Sequence, residues 1–422
     1  MLSLLALAIR SLMNRRVSVG LLLLSIALSV TLFLGVEKAR TGARDGFSNT
    51  ISSADLIVGA PTGDVNLLLY SVLRMGNATA EVSWPAYQKI AKRGDVDWVV
   101  PISLGDSHKG YRVLGTTSDY LAHYKYGDDQ SLEMAEGAWV NDLYDTVMGA
   151  DVARALGYRI GDHIEMSHGI GHDDFGHGHD DRKFEVIGIL KPTGTPVDKT
   201  VHVSLEAITA LHVGWESGAK HPLADTITEE MIRSFDLTPR SVTAIFVGLK
   251  NPALTLGAQR AINTEKSEPL MAVIPGQALA KLWGVTEMAE KALLAVSVFV
   301  ICVGLVSILT NILSGLNERR REMSILRAVG AGPGHVFGLL VLEAGVIGFV
   351  GALLGIALVY IALAIGGPML ADQYGISFGP PVPGWLDLGV LGGVTAASLL
   401  IGAVPAWMAL RRSLADGLTV KL

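Results

Sequence analysis

VSVGLLLLSIALSVTLFLGV, Val17–Val36, runs through twenty positions without a charged residue. A helix needs roughly 20 apolar residues to cross the hydrocarbon core of a bilayer. Arg10, Arg15 and Arg16 precede the run, and no small-residue cleavage site of the Ala-x-Ala kind follows it. A cleaved signal peptide is the competing reading. What decides between the two is the rest of the chain, which contains three more runs of this kind: about Ala292–Leu313, Val336–Ile365 and Leu386–Leu410. Their presence favours a retained helix and a chain that crosses a membrane four times.

Charge sets the orientation. Arg319, Arg320, Arg321 and Arg327 lie between the second and third runs, and Arg411 and Arg412 follow the fourth. With four spans, these clusters and the N-terminal arginines fall on one side, which the positive-inside rule assigns to the cytoplasm. The loop 366–385 carries no Lys or Arg, as expected of the far side. The expected layout is an N-terminal segment and first span at 1–36 and a large extracytoplasmic domain at 37–288. A span follows at 289–313, then a cytoplasmic link at 314–335, a span at 336–365 and an outer loop at 366–385. A last span at 386–410 and a cytoplasmic tail at 411–422 complete it.

Composition agrees with this. Half of the 422 residues are hydrophobic and 18% are charged, against about a quarter charged in an ordinary soluble domain. The formal net charge of -6 argues against a general nucleic-acid binder. The single cysteine, Cys302, excludes an intrachain disulfide, so the outer domain must hold together by its own core.

Within 37–288, short β-branched or alternating stretches recur. They are Asp55–Val58, Trp98–Val100, Tyr111–Leu114, Phe184–Leu190, Val201–Val203 and Ser241–Leu249, bounded by Gly, Pro and Asp. Helical stretches intervene at Trp84–Arg93, after Ser83 and with Pro85 in the first turn, and at Ala253–Glu265, and another begins at Pro275–Leu282. The expected fold is an α+β domain, with an inserted subdomain about 120–235.

In that domain lies HGIGHDDFGHGHDD, His168–Asp181, in a hairpin between Ile164–Met166 and the strand from Phe184. His168, His172, His177 and His179, with Asp180 beside them, form an H-x3-H-x4-H-x-H set suited to zinc or another transition metal. Two readings stay open: a metal-binding or metal-sensing loop, and a solvated loop of low affinity. A catalytic zinc is disfavoured, because a hydrolase needs ligands on rigid elements and this loop is filled with glycine.

The link contains NERRREMSILRAVGAGPGH, Asn317–His335. Taken alone, it reads as an amphipathic helix whose arginines meet anionic lipid headgroups. From Asn317 to Gly355 the sequence resembles the FtsX-like permease family of the MacB, LolC and LolE type. Glu318, Arg319, Arg321, Glu322, Leu326, Arg327, Gly330, Ala331, Glu343, Gly348, Gly351 and Gly355 match that family's pattern. Pro405, Ala409, Arg411 and Leu418 match its terminal motif, and Ala415 replaces the usual proline. The resemblance is specific over about 285–418 and general over the outer domain.

It implies four spans with a large domain after the first, and a permease that works with a separate cytoplasmic ATPase binding ATP and Mg. This chain resembles the permeases without a fused ATPase. No Gly-Lys-Ser/Thr phosphate loop occurs in it. On this reading Glu318, Arg319, Arg321, Glu322, Met323, Leu326 and Arg327 form the surface that docks on the ATPase. Charges orient the encounter and Met323 and Leu326 supply buried contact. The protein is then not itself an enzyme. Its permease copies pair as a homodimer or a paired permease in a bacterial cell inner membrane, with both termini cytoplasmic. It acts on a lipoprotein, peptide, small molecule or periplasmic partner. A signal transducer that activates a periplasmic enzyme, and a metal-linked transport component using the histidine loop, are the alternatives.

Two features of the third span complete the set. Glu343 is an intramembrane carboxylate, which is costly and marks either a structural bond or a coupling role. Gly348, Gly351 and Gly355 stand at helical spacing suited to close helix packing.

Overall fold

A computed structural model describes residues 8, 10–13, 15–48, 50, 53–127, 129–168, 182–214, 227–318, 330–374 and 383–415. The chain divides into two units, one of residues 1–42, 287–369 and 378–422, the other of residues 43–286 and 370–377.

The second unit is an α+β domain. Its strands of three or more residues are β1 (Leu56–Gly59), β2 (Val96–His108), β3 (Tyr111–Thr116), β4 (Met134–Gly137), β5 (Asp145–Met148), β6 (Phe184–Leu190), β7 (Thr200–Ser204), β8 (Ala244–Leu249) and β9 (Met271–Val273). Among the described residues these form one sheet in the order β9-β1-β8-β2-β3-β7-β5-β6-β4. The sheet is mixed: β3 and β7 run parallel, as do β5 and β6, and the other neighbours along this path are antiparallel. Lys109 and Gly110 both take positive φ between β2 and β3, as a two-residue type I′ hairpin requires. The first and last strands are neighbours, with Ile57 opposite Val273 and Gly59 opposite Met271.

Side-chain alternation sorts the core. Ile57, Val100, Ile102, Leu114 and Phe246 pack in one cluster with Tyr70, Tyr120 and Tyr124. Their strand neighbours Leu56, Val58, Ile245 and Val247 pack in another, because successive strand residues point to opposite faces. Helices α2 (Trp84–Ala91) and α5 (Thr255–Asn263) cover that second face through Ala86, Ile90, Ala258 and Ile262. Ser83 caps α2 by accepting a hydrogen bond from the Ala86 N–H, and Pro85 sits in the first turn. The stretch 120–235 contributes β4 to β7 to the shared sheet. It also contributes α3 (Ala150–Leu156), ended by the left-handed Gly157, and α4 (Leu205–His212). Met148, Val152, Phe184, Val186, Val203 and Leu211 form a third cluster there.

The first unit holds the apolar parts of four long helices, α1 (Arg16–Ser48), α6 (Pro275–Glu318), α7 (Pro333–Tyr374) and α8 (Trp385–Ala415); residues 43–48, 275–286 and 370–374 of these helices group with the second unit. Among the described residues, four helices are long and apolar enough to cross a membrane, over 16–42, 275–314, 333–367 and 385–409. The helices outrun their apolar sequence. The helix expected over 275–282 and the second apolar run are one element, and α1 continues through EKARTGARDGFS to Ser48. Backbone hydrogen bonding does not stop where hydrocarbon compatibility ends, so apolar length marks the span and not the helix. At the centre of the bundle Ile26, Val30 and Leu34 of α1 pack with Leu340, Ala344, Ile347 and Val359 of α7. Ile308 and Ile312 of α6 and Val394 of α8 join them.

Candidate functional site

Of the residues expected to dock an ATPase, Glu318 is the last residue of α6. Arg319, Arg321, Glu322, Met323, Leu326 and Arg327 lie outside the described residues. Gly330, with φ 99°, precedes α7, and the His335 N–H donates to the Gly332 carbonyl at 3.0 Å in its first turn. His168 belongs to a two-residue strand, Ser167–His168, that pairs with Ser107 and Asp106 of β2. His172, His177, His179 and Asp180 lie outside the described residues. The preceding strand, His163–Ile164, pairs antiparallel with β6, so the loop's two stems meet in the sheet. Among the described residues no group of three or more His, Cys, Asp or Glu is arranged to hold a metal.

Gly348, Gly351 and Gly355 of α7 sit where helices touch. A Cβ on Gly348 would collide with the Ser398 side chain of α8. One on Gly351 would meet Ile26, and one on Gly355 would meet Val30 and the Ala27 carbonyl of α1. Thr31 of α1 donates a hydrogen bond to the Gly355 carbonyl at 3.1 Å, and Ser29 donates to the Val300 carbonyl of α6 at 3.2 Å. Where lipid is as apolar as the helix surface, close backbone approach and interhelical hydrogen bonds supply the association that apolar burial supplies in water. Glu343 is 1% exposed within this helix.

Polar side chains collect at one end of the bundle. Lys38 lies near the end of the first span, Tyr360 near the end of the third, and Asp387 at the start of the fourth. The Lys38 ammonium donates to the Tyr360 hydroxyl at 2.9 Å and to Asp387 Oδ2 at 3.1 Å. The Tyr360 hydroxyl and the Gly384 N–H each donate to the same Oδ2 at 2.7 Å. Asp387 is 2% exposed, and its Oδ1 is buried without a hydrogen-bond partner. Another face of α1 turns to α6: Arg40 holds Glu37 at 2.6 Å and reaches Glu290 at 3.7 Å. Phe33, Val36, Arg40, Glu290, Leu294 and Ser297 line a cavity of about 220 Å³ there.

Sequence reasoning missed Lys38, Tyr360 and Asp387. A signal was present, in that the four-span layout puts a lysine and an aspartate at the same end of two spans. Each alone reads as an interfacial anchor.

The α+β domain buries titratable groups differently. His202 is wholly enclosed, and burial, with the Arg74 charge adding to it, pushes its pKa down to about 3. Its ring is tilted against Tyr120 and Trp139, each at 5.7 Å between centroids. Burial also lowers the pKa of His108, whose Nε2 lies 2.9 Å from the Tyr158 hydroxyl. Asp198 is raised by burial, although Thr193 and Gly194 both donate backbone N–H bonds to it. At the carboxyl ends of the parallel pair β3 and β7, Thr116, Trp139, Asp142, Ser204, Glu206 and Arg233 line a cavity of about 560 Å³. Arg233 binds Asp142 through two nitrogens at 2.7 and 2.6 Å and Glu229 at 2.8 Å.

Comparison with known proteins adds the following. The family model described as MacB-like periplasmic core domain matches residues 19–265, more than half of the chain. The FtsX-like permease C-terminal model matches residues 294–414. An uncharacterized ABC transporter permease of Methanocaldococcus jannaschii is 25% identical over 288 residues, 67% of this chain and 63% of its own length. The pyoverdine export ATP-binding/permease protein PvdT of Pseudomonas aeruginosa is 31% identical over 137 residues, 32% of this chain and 19% of its own. The chain therefore spans less than two thirds of either relative. Among solved structures, the periplasmic region of MacB from Actinobacillus actinomycetemcomitans aligns with a TM-score of 0.33 and 9% identity, over 55% of this chain and 94% of that one. The extracellular domain of the noncanonic ABC-type transporter YknZ from Gram-positive bacteria aligns with a TM-score of 0.29 and 13% identity, over 51% and 98%.

Proposed function

Because the chain belongs to the FtsX-like permease family with a MacB-like periplasmic core domain, we propose that it is the transmembrane subunit of an ATP-binding-cassette machine. ATP and Mg bind to a separate cytoplasmic ATPase, which docks on the 318–327 segment. The motion of that docking passes through the membrane helices to the α+β domain on the outer side of a bacterial inner membrane. There the domain acts on a lipoprotein, peptide, small molecule or periplasmic partner. Both termini are cytoplasmic, and two permease copies pair.

The observation that carries this reading is the order of the parts: core-domain match, then permease match, laid over four apolar helices with the domain between the first and second. The arginine clusters on one side of that layout support the orientation. The docking assignment is supported by the mixture of charge and apolar residues at Glu318, Arg319, Met323 and Leu326. Export and signalling share this inner mechanism and differ in the outer partner.

The test is affinity purification of the tagged full chain from its host in mild detergent, with identification of what comes along. The expected result is a co-purifying ATPase, reduced more than tenfold when Met323→Asp and Leu326→Asp are combined. A wild-type chain that brings no ATPase under conditions preserving its fold overturns the reading. An outer protein captured in the same experiment separates export from signalling.

A further inference from the structure

Chain continuity leads from α1 into the domain and from the domain into α6, while α7 directly follows the segment assigned to ATPase docking and has its last residues, 370–374, grouped with the domain. A displacement begun at the foot of α7 enters α1 through the contacts between those two helices. Pro333 to Tyr360 covers 28 residues of α7, about 40 Å at the helical rise per residue. At that height α7 meets α1 through Tyr360 and Lys38.

The contact is directional and charged. The Lys38 ammonium lies 5.1 Å from the Tyr360 ring centroid and bonds the hydroxyl of that ring as well as Asp387. One oxygen, Asp387 Oδ2, receives the bonds from α1, α7 and the turn before α8. Two residues along α1, Arg40 faces the opposite neighbour and reaches Glu290 of α6. The first span is thus gripped from two sides within one helical turn, at Glu37–Arg40. An ion pair whose carboxylate is buried, with its second oxygen unsatisfied, is a poor net stabiliser, because desolvation offsets much of its attraction. What such a pair supplies is relative position, in a place where a charge is otherwise costly.

We propose that Lys38, through Tyr360 and Asp387, is the positioning residue that fixes α1 to α7 and α8, so that movement of α7 is carried into α1 and on to the domain. The inference rests on the docking role given above to 318–327. Its first measurement does not.

Spin labels at the exposed positions Thr41 on α1 and Leu358 on α7, in a full chain with Cys302→Ser, report the spacing of the two helices in lipid nanodiscs. The wild type should give one narrow distance distribution. Lys38→Met should broaden it about twofold, Asp387→Asn should do the same, and Lys38→Arg should restore it. A Lys38→Met distribution as narrow as the wild type's overturns the proposal, whether or not an ATPase is found. With the co-purified ATPase present, ATP turnover of Lys38→Met should stay within twofold of wild type. The nucleotide-dependent shift of a label at exposed Met231 of the domain should disappear. A shift of wild-type size overturns the transmission role. Absence of any ATPase partner overturns the function proposed above and leaves the spacing measurement to decide the grip.

Discussion

In the α+β domain, His202 is enclosed by Tyr120 and Trp139 and held neutral by its burial; in the helical bundle, Asp387 is equally enclosed but faces Lys38 and Tyr360. The domain has water outside, so large apolar side chains such as Phe184 and Phe246 gain by leaving it, and polar groups inside are neutralised or bonded to backbone. The bundle has hydrocarbon outside. Large apolar residues gain little by turning inward there, and Phe299 is 70% exposed. Contact comes from Gly348, Gly351 and Gly355 and from a few polar side chains gathered at one end. The same chain thus follows two rules, because the solvent changes along it.

The largest effect that could break this comparison is in the domain core. Phe184→Ala should destabilise the domain by about 3–5 kcal/mol, read by denaturant unfolding of the full chain in detergent. Phe299→Ala on α6 should change the same unfolding by less than about 0.5 kcal/mol. Equal effects would mean that α6 is covered by protein rather than by lipid. Next in size is acid sensitivity. His202 has its pKa depressed from 6.5 to about 3, so below pH 6.5 the unfolded chain binds a proton that the native one refuses. Stability from this group is fully present above about pH 6.5 and falls by roughly 1.4 kcal/mol per pH unit between there and pH 3. His108 contributes in the same direction. Thermal unfolding between pH 7 and 5 should show the slope, and His202→Leu should flatten it; an unchanged slope would place the titrating group elsewhere.

Smaller again is the glycine contact. Gly355→Leu, aimed at Val30 and the Ala27 carbonyl, should cost about 1–3 kcal/mol and widen the α1–α7 spacing while leaving the acid slope of the domain alone. The least effect belongs to the histidine loop. Deleting 169–181 should leave both ATPase co-purification and the unfolding midpoint near wild type, and loss of either would give the loop a structural or coupling role.

Much of the architecture was legible because it rests on local pattern. The four apolar runs located the four helices, and Phe184–Leu190 located a strand to the residue, whereas Trp98–Val100 marked only part of a strand that runs over Val96–His108. The order of the sheet was not legible, since β9 lies beside β1 although about 200 residues separate them, and no local signal encodes that pairing. The α7 glycines announced close packing by their spacing, but not that Gly348 meets α8 while Gly351 and Gly355 meet α1. The Lys38–Tyr360–Asp387 contact stayed hidden because it unites three helices and its members sit at the ends of their runs, where charge and tyrosine are ordinary. His202 was hidden for the opposite reason: one histidine in a strand carries no mark of its burial.

The pairing of β1 with β9 has a consequence for how such chains diversify. The domain begins and ends on adjacent hydrogen-bonded strands, with Ile57 opposite Val273, so its entry and exit are held together by the domain's own sheet. A segment closed in this way can be lengthened, shortened or exchanged for another without asking the flanking helices to move apart. The α+β domain is in this sense a loop closed at its own base by hydrogen bonds between its first and last strands.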